Sequence, residues 1–429
     1  MVLSPNGLPR REFMKQLVAV GGFEALKTSR LYEHGGDIPR GTSEPQELPA
    51  RQHAWNGVLS QDEHGNYVLP RHHILLYMTY KNNIPSSSDR RKLETALQSL
   101  ERAYKWSNNG LLFTIGYSPA YFDRFEALYL PSRVDLPDPT RLSPVDNPKF
   151  DKQDTVIHLA SDHPQVVLTA EQALFGELDS LNGVTMDETL DGMFEKVDRR
   201  TGFVGAGLPA KNQDVEGIPE SNPVPKDAPL FTGFKSNFQQ NQASEDLVTI
   251  QQGAFAEGTT QHISKLRLEL EDWYDAKHDK RVALMFSPIH AEKELVGKVG
   301  EKLSDSSKMT EEIITQTEKH AKKYGQVGHA QKTARARTAD DSPLILRRDF
   351  DTTDENQAGV HFVSLQRGIG DFRYTRRHMN GTTLAAETEL DQQVGNGILD
   401  FITVERRGNF LIPPRRLRAL PPARPHDSS

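Results

Sequence analysis

One stretch of the sequence combines residue types that could hold a metal and stabilise negative charge. The segment from Gly328 to Phe350 reads GHAQKTARARTADDSPLILRRDF and places His329 ahead of the pair Arg347 and Arg348. A neutral imidazole can ligate a metal ion. A guanidinium keeps its charge at all working pH values, so it can stabilise negative charge that develops in a reaction. His329 and Arg347 are therefore the first candidates for chemistry.

The composition restricts what that chemistry can be. The 429 residues include 15 histidines and no cysteine, which excludes disulfides, thiolate nucleophiles and iron–sulfur clusters. Redox chemistry would need a bound cofactor, with histidine as the leading metal ligand. The formal net charge of −7 argues against a nucleic-acid binder, so we expect the basic clusters Arg376–Arg377 and Arg415–Arg418 to be solvated. No stretch approaches the roughly 20 apolar residues that span a bilayer, and no integral membrane segment is expected.

The elements that must position these residues follow an α+β order. The run HHILLYMTY from His72 to Tyr80 predicts a strand, and Asp89–Trp106 has apolar residues at helical spacing. Strands are predicted within residues 110–125 and 154–162, and a second helix begins near His163. This βαββα order is typical of a ferredoxin-like unit, in which helices cover one face of an antiparallel sheet.

A similar order recurs in the second half of the chain. A strand that passes into a helix is predicted within residues 258–274, and further strands within 358–367 and 399–415. We therefore predict two ferredoxin-like lobes, although no sequence repeat relates them. The predicted organisation is an N-terminal segment and linker at 1–55, a first lobe at 56–185, Pro- and Gly-rich connecting loops at 186–257 and a second lobe at 258–420.

The N-terminal segment LPRREFMKQLVAVGGFEAL has features of an export signal. Arg10 and Arg11 precede a short apolar stretch, as in twin-arginine signals. Pro9 and Glu24 depart from that pattern, and an amphipathic N-terminal helix is the alternative. The sequence therefore leaves two compartments open, one reached by twin-arginine export and the other the cytoplasm.

Six segments occur in an order that is informative as a set: TIGYSPAYFDRF, HLASDHPQV, TGFKSN, GTTQHISKLRL, LILRRDF and GNFLIPPR. Together they resemble the dye-decolourising (DyP-type) peroxidases, a haem-binding family of two ferredoxin-like lobes in the dimeric α+β barrel superfold. TGFKSN, from Thr232 to Asn237, falls at the family's Gly-x-x-Asp-Gly motif. LILRRDF resembles its Leu-Arg-Arg-Gly-Tyr segment, and GTTQHISKLRL its Gly-Thr-Tyr-Gln segment. The resemblance extends from about residue 70 to residue 415.

The resemblance implies a cofactor, a reaction and site residues. It implies haem b, with His329 as the proximal iron ligand and Arg347 as the distal arginine. Arg267 and Lys265 would be the cationic partners of the haem propionates. The implied reaction reduces hydrogen peroxide and oxidises an organic electron donor, and homo-oligomeric assembly is left open. The alternative ligands are His262, His320 and His361.

One position departs from the family pattern. Ser236 stands where the family motif has its catalytic aspartate, and Asn237 replaces the second glycine. A serine hydroxyl is a poor general acid–base near neutral pH. Arg347 could act alone with water, another carboxylate could substitute, or the protein could bind haem for storage, transfer or sensing without efficient peroxidase activity. A haem-free derivative of the fold is a third function class. The candidate carboxylates are Asp214, Glu245 and Asp246.

Overall fold

The computed structural model describes residues 38–125, 134–388, 390, 394–422 and 424–425. The predicted export segment lies outside these residues. No helix within the described ranges is long and apolar enough to cross a bilayer. The elements of the first half are β1 (Ser60–Gln61), β2 (Tyr67–Val68), β3 (His72–Tyr80), α1 (Ser87–Ala103), β4 (Leu112–Tyr117), α2 (Pro119–Asp123), β5 (Lys149–Phe150), β6 (Thr155–Ser161), α3 (Pro164–Leu174), β7 (Ser180–Leu181), β8 (Val184–Thr185) and β9 (Phe194–Phe203).

The second half contains many short helices between its first and second strands. Short 3-10 helices lie at Pro45–Glu47, Gln239–Asn241, Asp354–Asn356, Gly397–Phe401 and Arg415–Leu417. The other elements are α4 (Leu208–Lys211), α5 (Glu245–Val248), β10 (Thr259–Leu268), α6 (Leu270–Asp275), α7 (His278–Met285), α8 (Pro288–Glu292), α9 (Glu311–Thr315), α10 (Thr317–Tyr324), α11 (His329–Thr333), β11 (Leu346–Arg347), β12 (Phe350–Thr352), β13 (Gly359–Gln366), α12 (Ile369–Asn380), α13 (Thr382–Glu387) and β14 (Ile402–Ile412).

The two lobes share one strand topology. Strands in the first lobe are ordered β9-β3-β6-β4 and in the second β12-β13-β10-β14, with antiparallel neighbours throughout each group. In each lobe the first strand of the unit therefore lies between the fourth and the third, as in a ferredoxin-like sheet. The predicted α+β fold is confirmed.

The two sheets join edge to edge into a closed ring. β12 meets β9 at Asp351 opposite Phe203, and β14 meets β4 at Leu411 opposite Tyr117. Helices cover the outside, so strands such as β3 are buried on both faces. This explains why β3 is a nearly continuous apolar run whose residues are all buried except the partly exposed Thr79.

Strand β9 lies inside the stretch for which the sequence predicted connecting loops, residues 186–257. Its sequence, FEKVDRRTGF, contains five charged residues, so it lacks the apolar pattern of a buried strand. Four of these charged side chains are exposed or half-buried, and the fifth, Arg200, has a partner in the barrel interior. Arg200 is almost fully buried there and forms an ion pair with Asp151, with 2.7 Å between Nη2 and Oδ1.

In the C-terminal basic cluster Arg415 and Arg418 are buried, whereas the sequence predicted that they would be solvated; Arg416 is exposed. After β14 the chain passes back across the first lobe, where α1 presents Glu94 and Glu101. Arg415 and Arg418 both bind Glu101, and Arg418 also binds Glu94, with 2.8 Å between Nη2 and Oε1. The ion partners come from more than 300 residues away in sequence, which is why the local pattern did not show them.

Candidate functional site

A cavity lies between the sheet of the second lobe and helices α7, α11 and α12. It encloses about 1620 Å³ of space free of protein atoms, including its open mouth. Its walls are mainly apolar: Leu266 and Phe362 project from the sheet, and Phe286, Ile398 and Met379 line the helical side.

His329 is the first residue of α11 and lines this cavity from the helical wall. Its side chain is enclosed by the molecule, and its partial exposure is to the cavity. Burial lowers its pKa to about 3, helped by Lys332, Arg347 and Arg376, so the imidazole is neutral at neutral pH. Nδ1 is buried and has no hydrogen-bond partner within the described residues. The ring is thus in the form that ligates metals.

Arg347 reaches the same cavity from the sheet, and Arg348 does not. Arg347 lies on β11, opposite Ser364 of β13, and its side chain lines the cavity. Arg348 is buried elsewhere, where it binds Asn56 and Glu245 and lies 4.9 Å from the centre of the Trp55 ring. Because successive side chains of an extended chain point to opposite faces, only Arg347 can act on a ligand of the cavity.

The loop that carries Ser236 is attached to β11. Ser236 lines the cavity beside the next residue, Asn237, whose φ of 61° is in the left-handed region. Asparagine tolerates this region better than most residues, which explains how it stands in place of a glycine. The side chain of Gln242 donates to Asn237 Oδ1 (2.8 Å) and accepts from the backbone N–H of Arg347 (2.9 Å). The loop and the arginine are therefore held in one arrangement.

Asp349 also lines the cavity, and the sequence analysis did not identify it. Its Oδ1 accepts a hydrogen bond from the backbone N–H of Val363 (2.9 Å), and its Oδ2 lies 3.5 Å from Nη1 of Arg347. Burial raises its pKa to about 6, while Arg347 and the Val363 bond act in the opposite direction. The spacing Arg347-x-Asp349 could have indicated its place in the site, because residues two apart in an extended segment point to the same side.

Lys265 and Arg267, the predicted propionate partners, lie away from the cavity. On β10 the even-numbered Ser264, Leu266 and Leu268 line it, so the odd-numbered residues face the other way. Lys265 binds Glu355 (2.8 Å) and Glu405 (3.2 Å), and Arg267 binds Glu269 (2.9 Å).

Two other arginines, Arg376 of α12 and Arg407 of β14, supply positive charge to the cavity. Both line it and both are nearly fully buried. They share one carboxylate, Asp146, at 3.2 Å from Arg376 Nη2 and 3.0 Å from Arg407 Nη2. In each, the Nε atom is buried and has no hydrogen-bond partner in the described part of the chain. Two cations with one counter-ion leave a net positive charge at this wall. This corrects the expectation that Arg376 is solvated.

The alternative ligands and carboxylates lie elsewhere. His262 uses both ring nitrogens, on Asn409 (2.7 Å) and Ser264 (2.8 Å). His320 binds Gln331, and His361 faces Asp354 at 3.5 Å. Glu245 accepts from two backbone N–H groups and Arg348, and Asp246 binds Arg51. None of these side chains, nor Asp214, lines the cavity among the described residues.

The fold is shared with solved dye-decolourising peroxidases. A dye-decolorizing protein from Vibrio cholerae has a TM-score of 0.51 at 12% sequence identity, covering 85% of this chain and 99% of that one. DyPB from Rhodococcus jostii RHA1 has a TM-score of 0.52 at 15% identity, covering 86% and 98%. A DypB variant from the same organism, solved in complex with heme, has a TM-score of 0.51 at 15% identity, covering 86% and 99%. At such identities the likeness defines the fold, which is that of DyP-type peroxidases.

The sequence itself matches a family model described as "Family of unknown function (DUF7405)" over residues 70–414. The chain belongs to this family. A comparison with curated protein sequences gives no match.

Proposed function

We propose that the protein is a haem-dependent peroxidase of the dye-decolourising type, which reduces hydrogen peroxide and oxidises an organic electron donor. The observation that carries the proposal is the placement of His329 and Arg347 on one large, mainly apolar cavity. A neutral imidazole from the helical wall and a guanidinium from the sheet are the two groups that peroxide activation at a haem requires. A solved relative in complex with heme supports the choice of cofactor.

The residues of the cavity fit a haem group in three respects. The unpartnered imidazole of His329 provides an axial ligand, and the apolar side chains provide surface for the porphyrin ring. The buried Nε atoms of Arg376 and Arg407 lack hydrogen-bond partners within the described chain, and carboxylates such as the haem propionates are their natural acceptors. These two arginines take the role that the sequence assigned to Lys265 and Arg267.

Each protein group has a separate task in the proposed reaction. The bound haem supplies the redox chemistry. His329 holds the group in the cavity, and Arg347 orients peroxide and stabilises the negative charge that develops on it. The apolar walls, including Phe286 and Phe362, keep bulk water away from the reacting atoms. Ser236, next to Arg347 in the cavity, can hydrogen-bond to peroxide or to water.

Haem titration of the purified protein tests the proposal. We expect one equivalent to bind with a Soret band of histidine-ligated haem, and we expect His329→Ala to lose this stoichiometric binding because the axial bond is lost. His64→Ala, a change outside the cavity, is the control and should bind like the parent. Circular dichroism checks that both variants are folded. Full occupancy with an unchanged Soret band in His329→Ala would contradict the ligand assignment.

A second candidate function is haem binding without efficient peroxidase activity, for storage, transfer or sensing. Ser236 in place of the motif aspartate is the observation that favours it. Stopped-flow mixing of the ferric protein with hydrogen peroxide separates the two candidates. Rapid spectral oxidation followed by reduction with an organic donor supports the peroxidase, whereas a ferric spectrum that persists in peroxide supports the binding protein. A chain that takes up no haem excludes both.

A further inference from the structure

We propose that Asp349 is the group that takes and returns the peroxide proton in this protein, in place of the aspartate that Ser236 has replaced. The inference rests on the proposed function and goes beyond it, because it assigns the acid–base step to a residue outside the family motif. It follows from where the carboxylates of the described chain lie. Of the described residues that line the cavity, Asp349 is the one carboxylate.

The position of Asp349 suits proton transfer beside Arg347. One oxygen, Oδ1, is fixed by the backbone N–H of Val363 at 2.9 Å. The other, Oδ2, faces Nη1 of Arg347 at 3.5 Å, which is longer than a strong ion-pair hydrogen bond. Oδ2 therefore keeps lone pairs for a substrate that the guanidinium of Arg347 also contacts. Because both residues come from one short extended segment, their separation is set by the backbone.

The electrostatic surroundings bring the carboxyl group into the useful pH range. Burial raises the pKa of Asp349 to about 6, and Arg347 limits the rise. A general acid–base is most effective when its pKa lies near the working pH, which the hydroxyl of Ser236 cannot achieve. Asp351, two residues further on, is also buried, and its pKa is raised well above the usual range by burial. Burial therefore favours the neutral form of Asp351. The other titratable groups of the cavity are Lys235, His329, Arg337, Arg376 and Arg407.

The proton balance of the step is complete. Peroxide gives one proton to Oδ2 of Asp349, and the carboxyl group returns it to the distal oxygen as the O–O bond breaks. That oxygen leaves as water with both protons of the original peroxide, and the carboxylate is regenerated. The remaining oxygen atom and the two electrons that the cleavage needs would be accounted for by the redox chemistry that haem supplies when bound. Arg347 stays charged throughout and stabilises the anionic stage.

The test compares Asp349→Asn with Asp351→Asn. The first change keeps the shape of the side chain and an acceptor for Val363 but removes the base. The second replaces a buried carboxyl of the same segment that does not line the cavity, and burial already favours the neutral form of that carboxyl. We expect Asp349→Asn to slow the reaction of the ferric holoprotein with hydrogen peroxide by about 10²–10⁴-fold, the usual contribution of a positioned acid–base. Asp351→Asn should react at the parental rate.

Two further readouts do not depend on turnover. Hydrogen cyanide loses its proton when it binds ferric haem, so a base in the cavity should speed its association. In the parent, the association rate constant should rise with pH around pH 6, and in Asp349→Asn this pH dependence should be absent. In the haem-free protein, carbon-13 NMR of labelled aspartate should show a carboxyl that titrates near pH 6 and is missing from Asp349→Asn. Asp400, whose pKa burial also raises to about 6, should give a signal in both proteins.

The outcomes separate this inference from the proposed function. If the parent reacts with peroxide and Asp349→Asn reacts equally fast, the assignment of Asp349 is wrong and the peroxidase stands. If the Asp349 carboxyl titrates at the ordinary aspartate value in the haem-free protein, the assignment also fails. A parent that binds no haem or ignores peroxide overturns both, whatever Asp349 does.

Discussion

Arg347 and Arg348 are adjacent in sequence and have different surroundings. The first lines the cavity with its side chain about one-quarter exposed (23%), and the second is enclosed between Trp55 and Glu245. A charged group helps a reaction only where the substrate can approach it, so the two guanidinium groups cannot exchange roles. The backbone N–H of Arg347 donates to the side chain of Gln242, and its guanidinium faces the carboxylate of Asp349.

Arg347→Leu should therefore slow the oxidation of the ferric protein by peroxide by about 10²–10³-fold, as expected for loss of one preorganised charged donor. Haem binding should persist, because His329 is unchanged. Stopped-flow spectroscopy measures the rate, and Arg335→Leu is the control because it removes a guanidinium from the same segment outside the cavity. Equal rates in the parent and Arg347→Leu would mean that this arginine is not the group that activates peroxide.

Asp349 should also make the stability of the haem-free protein depend on pH. Its folded pKa of about 6 lies above the value of 3.8 that an aspartate has in an unfolded chain. Below pH 4 the carboxyl is protonated in both states, and between pH 4 and 6 the unfolded state releases its proton first. The free energy of unfolding should therefore fall by about 3 kcal/mol through this window, at 1.36 kcal/mol per pKa unit.

Urea denaturation at a series of pH values measures this effect. Asp349→Asn should become more stable relative to the parent as pH rises from 4 to 6, and the difference should then stay constant. Asp246→Asn, which changes a mostly exposed carboxylate (80%), should show no such trend. A difference between Asp349→Asn and the parent that does not vary with pH would contradict the raised pKa.

At the scale of elements, strand alternation decides which charges reach the cavity. β10 sends Ser264, Leu266 and Leu268 to the cavity wall and Lys265 and Arg267 to the opposite side. The positive charge at the cavity comes instead from α12 and β14, which bring Arg376 and Arg407 together over Asp146. α12 belongs to the helical layer and β14 to the sheet, so the two arginines come together only when the lobe is packed.

Arg376→Gln should weaken haem binding by about 10–100-fold, since one charge-assisted hydrogen bond contributes about 1.5–3 kcal/mol. The fold should survive, because Asp146 keeps its ion pair with Arg407. Arg267→Gln, at the position favoured by the sequence, should leave the affinity unchanged. Spectrophotometric titration gives both dissociation constants. Weaker binding in Arg267→Gln with unchanged binding in Arg376→Gln would place the propionate site on β10 instead.

The sequence predicted the elements that have an apolar pattern of their own. The run from His72 to Tyr80 is observed as β3 with the same limits, because both of its faces are buried. β9 was not predicted because it is rich in charged residues, and the one that is buried, Arg200, finds its partner Asp151 in a distant segment. The burial of Asp349 and Arg376 was not predicted for the same physical reason. An isolated acid or arginine is usually solvated, and only tertiary packing shows where it is buried.

At the scale of the molecule, two narrow seams and several ion pairs join the lobes, among them Asp151 with Arg406 and Asp146 with Arg407. Each seam has one registered residue pair, Asp351 with Phe203 and Leu411 with Tyr117. The chain that follows β14 adds the buried cluster of Arg415, Arg418 and Glu101, and Tyr117 Oη donates to the carbonyl of Arg418 at 2.6 Å. The C-terminal residues thus fasten the second lobe to the first.

Glu101→Gln should destabilise the protein by about 3–5 kcal/mol, because it leaves two buried guanidinium groups without their shared counter-ion. Glu94→Gln should cost less than about 1 kcal/mol, since Glu94 is about one-third exposed (32%). Urea denaturation measures both. Equal losses in the two variants would show that the buried cluster does not hold the lobes together.

The order of the strands also has a consequence for biosynthesis. Arg407 and Ile402 of the last strand, β14, complete the cavity wall, and the residues that lock this strand in place follow it. A nascent chain emerging from the ribosome can fold its first lobe early, because all four strands of that sheet precede residue 204. The cavity, in contrast, has no complete wall until β14 has been translated. A ligand that needs the whole wall can therefore bind only after β14 has joined the sheet, when the first lobe has had time to fold.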